Sequence, residues 1–400
     1  MRLSKLVFLF LFVVFLVFSV GAQATDNYIL RVLFWGESDT DDYLRFPSRA
    51  IERGPIIYEF KKDLRPEVTD WLGKARFSHK GDNQEVGDLQ EFLTANQTTA
   101  FIIIKDDIII YEDYFNGSCR GSINTSFSVA KTFASTLIGL AINDGLIKSV
   151  EESIVNYLPE LEKADSRFAA ITIKHLLNMA SGLRYRGRDD TPTYYHPDLK
   201  KIALNVKVSE EPERHFLYNN YNPILIGMIL ERATGMPVAK YLEEKIWKPL
   251  GMEYPASWSI DSQKSGFEKM ESGINARSID YAKLGYLFLN KGRWDDQQIL
   301  PESWIAEATD FSMPKLPAFD KKSWYAYKNV SYNYFWWGFC DDQENWHYSA
   351  IGKYGQYIFV SPATNLIIVR NGFGEGKVDF WPELLINMAQ QIARGYECLW

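Results

Sequence analysis

The hydrophobic positions of the chain follow strand-like spacing near both ends and helical spacing in the middle. Two apolar runs, 100–104 and 108–114, flank a polar "KDD" turn and predict a hairpin in a sheet that is covered on at least one face. Short turns separate three more apolar runs near the C-terminus, which predict an antiparallel meander. These runs are "HYSAIG", "QYIFVSP" and "NLIIVRNG".

Helical periodicity dominates the residues between these strands, and Gly145, Gly182 and Gly235 end the first three helical stretches. A last helix is predicted from about 380 to 393. Residues 183–213 are polar and irregular, which predicts a surface loop. The predicted helical stretches are 126–145, "ITIKHLLNMASG", "NPILIGMILERATG" and "NARSIDYAKLGYLFLNKG".

The first residues have the layout of a secretory signal peptide. A short basic stretch, 1–5, precedes the apolar run 6–20, and Ala22 and Ala24 form a small-residue cleavage site. The apolar run is shorter than the roughly 20 residues that a transmembrane helix needs. We therefore expect cleavage after Ala24 and a secreted or periplasmic protein, with an uncleaved membrane anchor as the alternative. Residues 25–94 are mixed in pattern and are interpreted as an N-terminal extension.

Composition narrows the class of protein. The chain has 400 residues, which favours two lobes, and its 46% hydrophobic content excludes a disordered protein. The net charge is −7 and no long basic run is present, so nucleic acid is not an expected partner. Three scattered cysteines and five scattered histidines form neither a disulfide framework nor a metal-binding motif. Neither a metal nor another cofactor is expected.

The pattern Ser-x-x-Lys occurs at Ser128–Lys131 and again at Ser312–Lys315. Only Ser128 opens a long apolar helix, where a residue three positions later lies on the same face. The free N–H groups of a helix start could stabilise an oxyanion. Burial beside apolar neighbours would disfavour a charged lysine, so its neutral amine could accept the serine proton. The alternative is an ordinary N-cap serine and a lysine that reaches solvent.

A second element resembles a known family together with Ser128 and Lys131. Tyr218-Asn219-Asn220, followed by "ILIGMILERATG", resembles the Tyr-x-Asn motif of the serine β-lactamase-like superfamily. This superfamily includes class C β-lactamases, D-Ala-D-Ala carboxypeptidases, esterases and amide hydrolases. The stretches "LLNMASGL" and "GLIKSVEESIVNYLPEL" are also similar to motifs of the family. The resemblance covers about residues 95–395.

The third motif of that family, Lys/His-Thr/Ser-Gly, is altered. Its best match is the segment from His347 to Ala350, and the chain contains no Lys-Thr-Gly. In β-lactamases and penicillin-binding enzymes this lysine helps to bind the substrate carboxylate. The stretch "AIGKYGQY" instead resembles the branch of 6-aminohexanoate-dimer hydrolases and carboxylesterases.

The resemblance implies an α/β (α+β) sandwich with an antiparallel sheet built from both chain ends and an inserted, mainly helical lobe at about 150–320. It implies a serine hydrolase in which Ser128 attacks an ester or amide carbonyl. Lys131 and Tyr218 would share the role of base. The oxyanion would be held by the N–H of Ser128 and one near Ala350, with His347 also near the substrate. Asn220 would orient the lysine or a substrate amide.

Other interpretations stay open at this level. The fold could serve a catalytically silent binding or sensor protein, although the Ser/Lys/Tyr set argues against that. A D-Ala-D-Ala carboxypeptidase or β-lactamase is a further alternative. The aromatic stretch 323–337 could wall an apolar or oligomeric substrate, or could be a packed, partly buried surface. No G-x-S-x-G motif is present, which disfavours an α/β-hydrolase.

Overall fold

The computed structural model describes residues 26–312, 315–318 and 329–397, so the predicted signal peptide, residues 1–24, lies outside the described residues. The α-helices are α1 (Tyr28–Trp35), α2 (Glu67–Gly73), α3 (Leu89–Ala95), α4 (Val129–Asn143), α5 (Pro159–Ala164), α6 (Ile173–Leu177), α7 (Asp190–Tyr195), α8 (Leu199–Leu204), α9 (Tyr221–Thr234), α10 (Val238–Leu242), α11 (Ser278–Leu289), α12 (Glu302–Ala308) and α13 (Trp381–Glu397).

The strands are β1 (Ser48–Ile51), β2 (Lys61–Lys62), β3 (Arg76–His79), β4 (Asp82–Glu85), β5 (Thr98–Lys105), β6 (Ile108–Tyr114), β7 (Asn124–Thr125), β8 (Ala256–Ser259), β9 (Ile274–Ala276), β10 (Arg293–Trp294), β11 (Gln297–Gln298), β12 (Val330–Asn333), β13 (Trp336–Cys340), β14 (Trp346–Gly352), β15 (Gln356–Ser361) and β16 (Leu366–Gly372).

The central sheet has eight strands in the order β12-β13-β14-β15-β16-β5-β6-β2. Every pair in it is antiparallel except β2 with β6. The predicted hairpin is β5–β6, whose turn residues Asp106 and Asp107 have φ of 49° and 66°, as a two-residue turn of the I′ type requires. The predicted meander is β14-β15-β16, and pairing of β16 with β5 joins the two ends of the chain. The predicted sandwich with a sheet from both chain ends is confirmed.

Both faces of this sheet are covered, which explains why its strands are apolar without alternation. Ile102 and Ile104 of β5 point into a core shared with the helical lobe. Phe101 and Ile103 of the same strand point to the opposite face, into a second core with α2, α3 and α13. The sequence had indicated cover on at least one face, and the structure shows it on two.

Helix α4 runs between the sheet and the helical lobe. Every residue from Val129 to Ala141 is buried, because α4 packs against β14 and β15 on one side and α9 on the other. A helix that is apolar all round is stable only in such a position. The first residue of α4 therefore lies at the junction of the two layers.

Residues 183–213 differ from the predicted surface loop. They contain α7 and α8, and Tyr195 and Leu199 are buried against the rest of the protein. The segment looks polar because only a few of its side chains turn inward. The prediction of an irregular surface loop was wrong for this part.

Residues 26–94 are built into the fold. β1 pairs with β8 in a second sheet of order β1-β8-β9-β7, and β2 pairs with β6 of the central sheet. Phe92 and Leu93 of α3 enter the second core. Within residues 26–312, 315–318 and 329–397, no helix combines the length and apolarity needed to cross a membrane.

Candidate active site

Ser128 lies directly before the first turn of α4, in a strained segment. Phe127 has φ of 44° although it is not glycine, and such backbone strain collects at functional sites. Ser126 fixes the segment by accepting at its Oγ from Ile274 N and donating from that Oγ to the carbonyl of Ser272 (2.8 Å). The Ser128 side chain makes no capping hydrogen bond to the helix. The N-cap alternative is therefore not what the geometry shows.

Lys131 lies beneath Ser128 instead of reaching solvent. Its Nζ lies 2.7 Å from Ser128 Oγ and donates to the carbonyl of Glu271 at 3.0 Å. The same atom is 5.0 Å from the centre of the Tyr218 ring, and the residue is 1% exposed. Lys131 thus contacts a hydroxyl, a carbonyl and a ring face. Helical i, i+3 spacing brings Ser128 and Lys131 together, as the sequence predicted.

A cavity of about 260 Å³ opens beside Ser128, and Tyr218 and Trp337 are in its wall. Tyr218 stacks on Trp337 with ring centres 5.7 Å apart, and Tyr332 meets Tyr218 edge-on at 6.0 Å. Burial, and secondarily the charge that Tyr218 would carry, raise the pKa of Tyr332 well above its usual value. Tyr332 therefore stays neutral and serves as an apolar support for Tyr218.

The segment "LLNMASGL" supports Tyr218 from below. Met179 adopts φ of 54°, and its carbonyl accepts from Leu217 N at 2.8 Å. Ser181 Oγ donates to Asn222 Oδ1 at 2.7 Å, which links this segment to the first turn of α9. Two stretches about forty residues apart in sequence thereby fix the backbone on either side of Tyr218.

The free edge of β14 supplies the second candidate oxyanion donor. The N–H of Cys340 in β13 donates to the carbonyl of Asn329, on the side of β13 that faces β12. Successive residues of a strand direct their N–H and C=O groups to opposite sides. By this alternation Ser349 bonds to β13 and Ala350 directs its N–H to β15. Among the residues that the structure describes, β14 pairs with β13 only as far as Ser349, so the N–H of Ile351 points to an edge without a described strand partner. Ile351 lines the cavity with Ser128. The predicted donor therefore shifts from Ala350 to Ile351.

Asn220 and His347 are not among the residues that line this cavity. Asn220 Nδ2 donates to Tyr185 Oη at 3.1 Å. His347 is 1% exposed, with Nδ1 3.0 Å from Ser361 Oγ and Nε2 3.2 Å from Asp341 Oδ2. Burial lowers the pKa of His347, although its hydrogen bond to Asp341 opposes this.

The residues of β14 that line the cavity lie further along the strand than His347. Ile351, Gly352 and Lys353 line the cavity. A Cβ on Gly352 would lie 2.3 Å from the carbonyl oxygen of Ser126, so β14 approaches the nucleophile segment as closely as glycine allows. Matching the histidine by residue type placed the motif too early on the strand.

Ser312, of the second Ser-x-x-Lys pattern, is exposed, and its hydroxyl donates to Asp310. Met313 and Pro314 lie outside the described residues. Sequence reasoning also missed Glu271, which acts through a main-chain carbonyl that no side-chain pattern reveals. Of the aromatic stretch 323–337, Trp337 lines the cavity and Tyr332 packs against Tyr218, and 323–328 are not described.

The chain is similar to several known proteins, including the three that follow. It is 23% identical over 317 residues to the 6-aminohexanoate-dimer hydrolase of Paenarthrobacter ureafaciens, covering 74% of this chain and 76% of that protein. A solved structure from Bacillus anthracis, provisionally described as a 6-aminohexanoate-dimer hydrolase, matches with TM-score 0.76, 23% identity and coverage of 94% and 96%. A D-stereospecific amidohydrolase from Streptomyces matches with TM-score 0.57, 17% identity and coverage of 74% and 95%.

The family model described as Beta-lactamase matches residues 90–381, nearly three quarters of the chain. The chain therefore belongs to the β-lactamase family, as the sequence motifs indicated. The chain is therefore a hydrolase of the β-lactamase fold, and the 6-aminohexanoate-dimer hydrolases are among the proteins to which it is similar.

Proposed function

We propose that this chain is a serine hydrolase that cleaves an ester or a linear amide through an acyl-enzyme on Ser128. The observation that carries the proposal is the 2.7 Å separation of Lys131 Nζ and Ser128 Oγ at the edge of a cavity walled by Tyr218. A nucleophile within hydrogen-bond reach of a base that a third group orients is the signature of covalent catalysis. Here the carbonyl of Glu271 orients the base.

The proposed reaction uses these groups in order. Lys131, as a neutral amine acting with Tyr218, takes the proton of Ser128 while Oγ attacks the carbonyl carbon. The N–H groups of Ser128 and Ile351 stabilise the oxyanion. Tyr218 gives its proton to the leaving alcohol or amine as the carbonyl–heteroatom bond breaks, and protonated Lys131 restores a proton to Tyr218. The Lys131–Tyr218 pair then takes a proton from the water that attacks the acyl-enzyme and passes it to Ser128 Oγ as the acid is released.

The proposed substrate class is a short ester or a linear amide. The relative from Paenarthrobacter is named for a linear amide dimer. The lysine of Lys-Thr-Gly, which serves carboxylate binding in β-lactamases and penicillin-binding enzymes, is absent from this sequence. We therefore expect p-nitrophenyl esters or linear amides to be turned over faster than a cephalosporin. Comparable turnover of the cephalosporin would instead support the β-lactamase alternative.

A fluorophosphonate probe tests the nucleophile and separates an enzyme from a silent binding protein. Label is expected on the peptide that contains Ser128, and Ser128→Ala should abolish it. Ser312→Ala is the matched control, since it removes the serine of the other Ser-x-x-Lys pattern and should leave labelling unchanged. Label on Ser312, or none on a folded wild-type protein, would refute the proposal.

We also propose that the protein is exported, on the basis of the sequence of residues 1–24. N-terminal sequencing of protein expressed in a secreting host should then begin at Thr25. Membrane-bound protein that still begins at residue 1 would favour the uncleaved anchor.

A further inference from the structure

A buried ion pair lies directly behind the candidate base. Glu271, whose carbonyl accepts from Lys131, also binds Lys269 through its carboxylate, with Nζ and Oε1 2.8 Å apart. Both side chains are at most 2% exposed. Ser272 Oγ donates to the same Oε1 at 2.9 Å, which holds the carboxylate in place. One residue thus links two lysines, Lys131 by its main chain and Lys269 by its side chain.

Residues of the N-terminal segment and of the segment 183–213 enclose this pair. Lys269 Nζ lies 4.0 Å from the centre of the Tyr194 ring and 4.3 Å from that of Phe46, and it donates to the carbonyl of Tyr194. The guanidinium carbon of Arg31 also lies over the Phe46 ring, 5.3 Å from its centre. Burial lowers the pKa of Lys269, whereas the Glu271 carboxylate opposes that shift. The ring faces and the carboxylate favour its charged form.

We propose that Lys269 and Glu271 are positioning residues that set the protonation of Lys131 and keep its amine on Ser128. This inference rests on the proposed function, because it assigns Lys131 the role of base. Charges in a buried site interact more strongly than charges in water. A balanced pair leaves little net charge beside Lys131, whereas loss of either partner would leave one uncompensated charge there.

The sign of each perturbation follows from which charge remains. Lys269→Met leaves the Glu271 carboxylate unpaired, which favours the charged form of Lys131 and should raise the pH midpoint of acylation by roughly one unit. Glu271→Gln leaves the Lys269 ammonium, held by the ring faces and the Tyr194 carbonyl, and should lower the midpoint. The double variant carries neither charge and should restore a midpoint near that of the wild type.

Other charged or titratable groups face this region, and every variant keeps them unchanged. They are Tyr218 at Lys131, Asp42, Arg31 and Tyr194 around Lys269, and Lys353, Tyr357, Glu375 and Asp379 in the cavity wall. The shifts between variants therefore report the pair itself.

The experiment measures the rate of fluorophosphonate acylation across neutral and alkaline pH for full-length wild type, Lys269→Met, Glu271→Gln and the double variant. A thermal unfolding curve of each variant shows whether it folds. Lys283→Met is the matched control, because Lys283 is fully buried, lies 3.6 Å from Asp280 and donates to the carbonyls of Tyr58 and Gly251. It should lose stability without a change of midpoint.

A raised midpoint in Lys269→Met and a lowered one in Glu271→Gln support the inference. If only one of these variants folds, the direction in which its pH midpoint shifts is sufficient to support or overturn the inference. An unchanged midpoint, a shift of opposite sign, or an equal shift in Lys283→Met would overturn it. Lys131→Arg separates this failure from failure of the proposed function. Wild-type acylation by Lys131→Arg would refute the role of Lys131 as base, and an unlabelled Ser128 in folded wild-type protein would refute the proposed function. An inactive Lys131→Arg with unshifted pair variants would refute only this inference.

Discussion

Gly352→Ala should impair catalysis by opening the candidate oxyanion site. The added Cβ would lie 2.3 Å from the carbonyl oxygen of Ser126 and 3.1 Å from the Cβ atoms of Phe127 and Gln356. Non-bonded carbon and oxygen atoms approach no closer than about 3.3 Å, so β14 and the segment before Ser128 must separate by about 1 Å. The atoms that move belong to backbone, so no flexible side chain can absorb the displacement.

That displacement separates the N–H of Ile351 from the Ser128 hydroxyl. A misplacement of about 1 Å can lower a catalysed rate about 100-fold, and overpacking of this kind costs about 1–3 kcal/mol of stability. We expect both effects in Gly352→Ala, measured as ester kcat/KM and as the free energy of unfolding in urea.

Gly187→Ala is the matched control for this prediction. Its added Cβ meets nothing within 4 Å, and Gly187 lies in the segment 183–213. It should change neither quantity. If Gly352→Ala loses stability but keeps wild-type kcat/KM, then the edge of β14 does not hold the oxyanion, and the reasoning from strand alternation is wrong.

Three further substitutions test separate parts of the site. Lys131→Arg keeps a cation that cannot serve as a base, so it should lose acylation by at least about 100-fold while still folding, and near wild-type labelling would contradict the proposed base. Tyr218→Phe keeps the ring stacked on Trp337 but removes the hydroxyl, so kcat should fall about 100-fold or more with little change in thermal stability, and an unchanged kcat would exclude Tyr218 from proton transfer. Burial lowers the pKa of His347 below its usual 6.5. As pH falls through that value, the unfolded chain therefore binds a proton that the folded chain does not, and the free energy of unfolding decreases. His347→Gln should flatten this loss in thermal unfolding between neutral and mildly acidic pH without abolishing labelling of Ser128, and an unchanged slope would show that His347 does not cause it.

The sequence alone determined the features that depend on local spacing. Ser128 and Lys131 are three residues apart on one helix, so their contact follows from helix geometry wherever the helix lies. The β5–β6 hairpin follows from two apolar runs around a tight turn, and the family followed from several short motifs in a fixed order. Tyr218 was found because its motif adjoins an apolar helix, although the approach of its ring to Lys131 required the fold.

Only the tertiary structure decided the features that depend on which segments meet. Ile351 rather than Ala350 directs its N–H to the side of β13 because residues alternate along β14 from the Trp337–Ser349 pair, and strand register is not encoded in the residue types of β14. His347 resembles a motif residue, yet burial beside Asp341 and Ser361 keeps it out of the cavity. The carbonyl of Glu271 reaches Lys131 across 140 positions of the sequence, and Phe46 and Tyr194 enclose Lys269 from two other segments. Such contacts arise from long-range packing, and no periodicity along the chain records them.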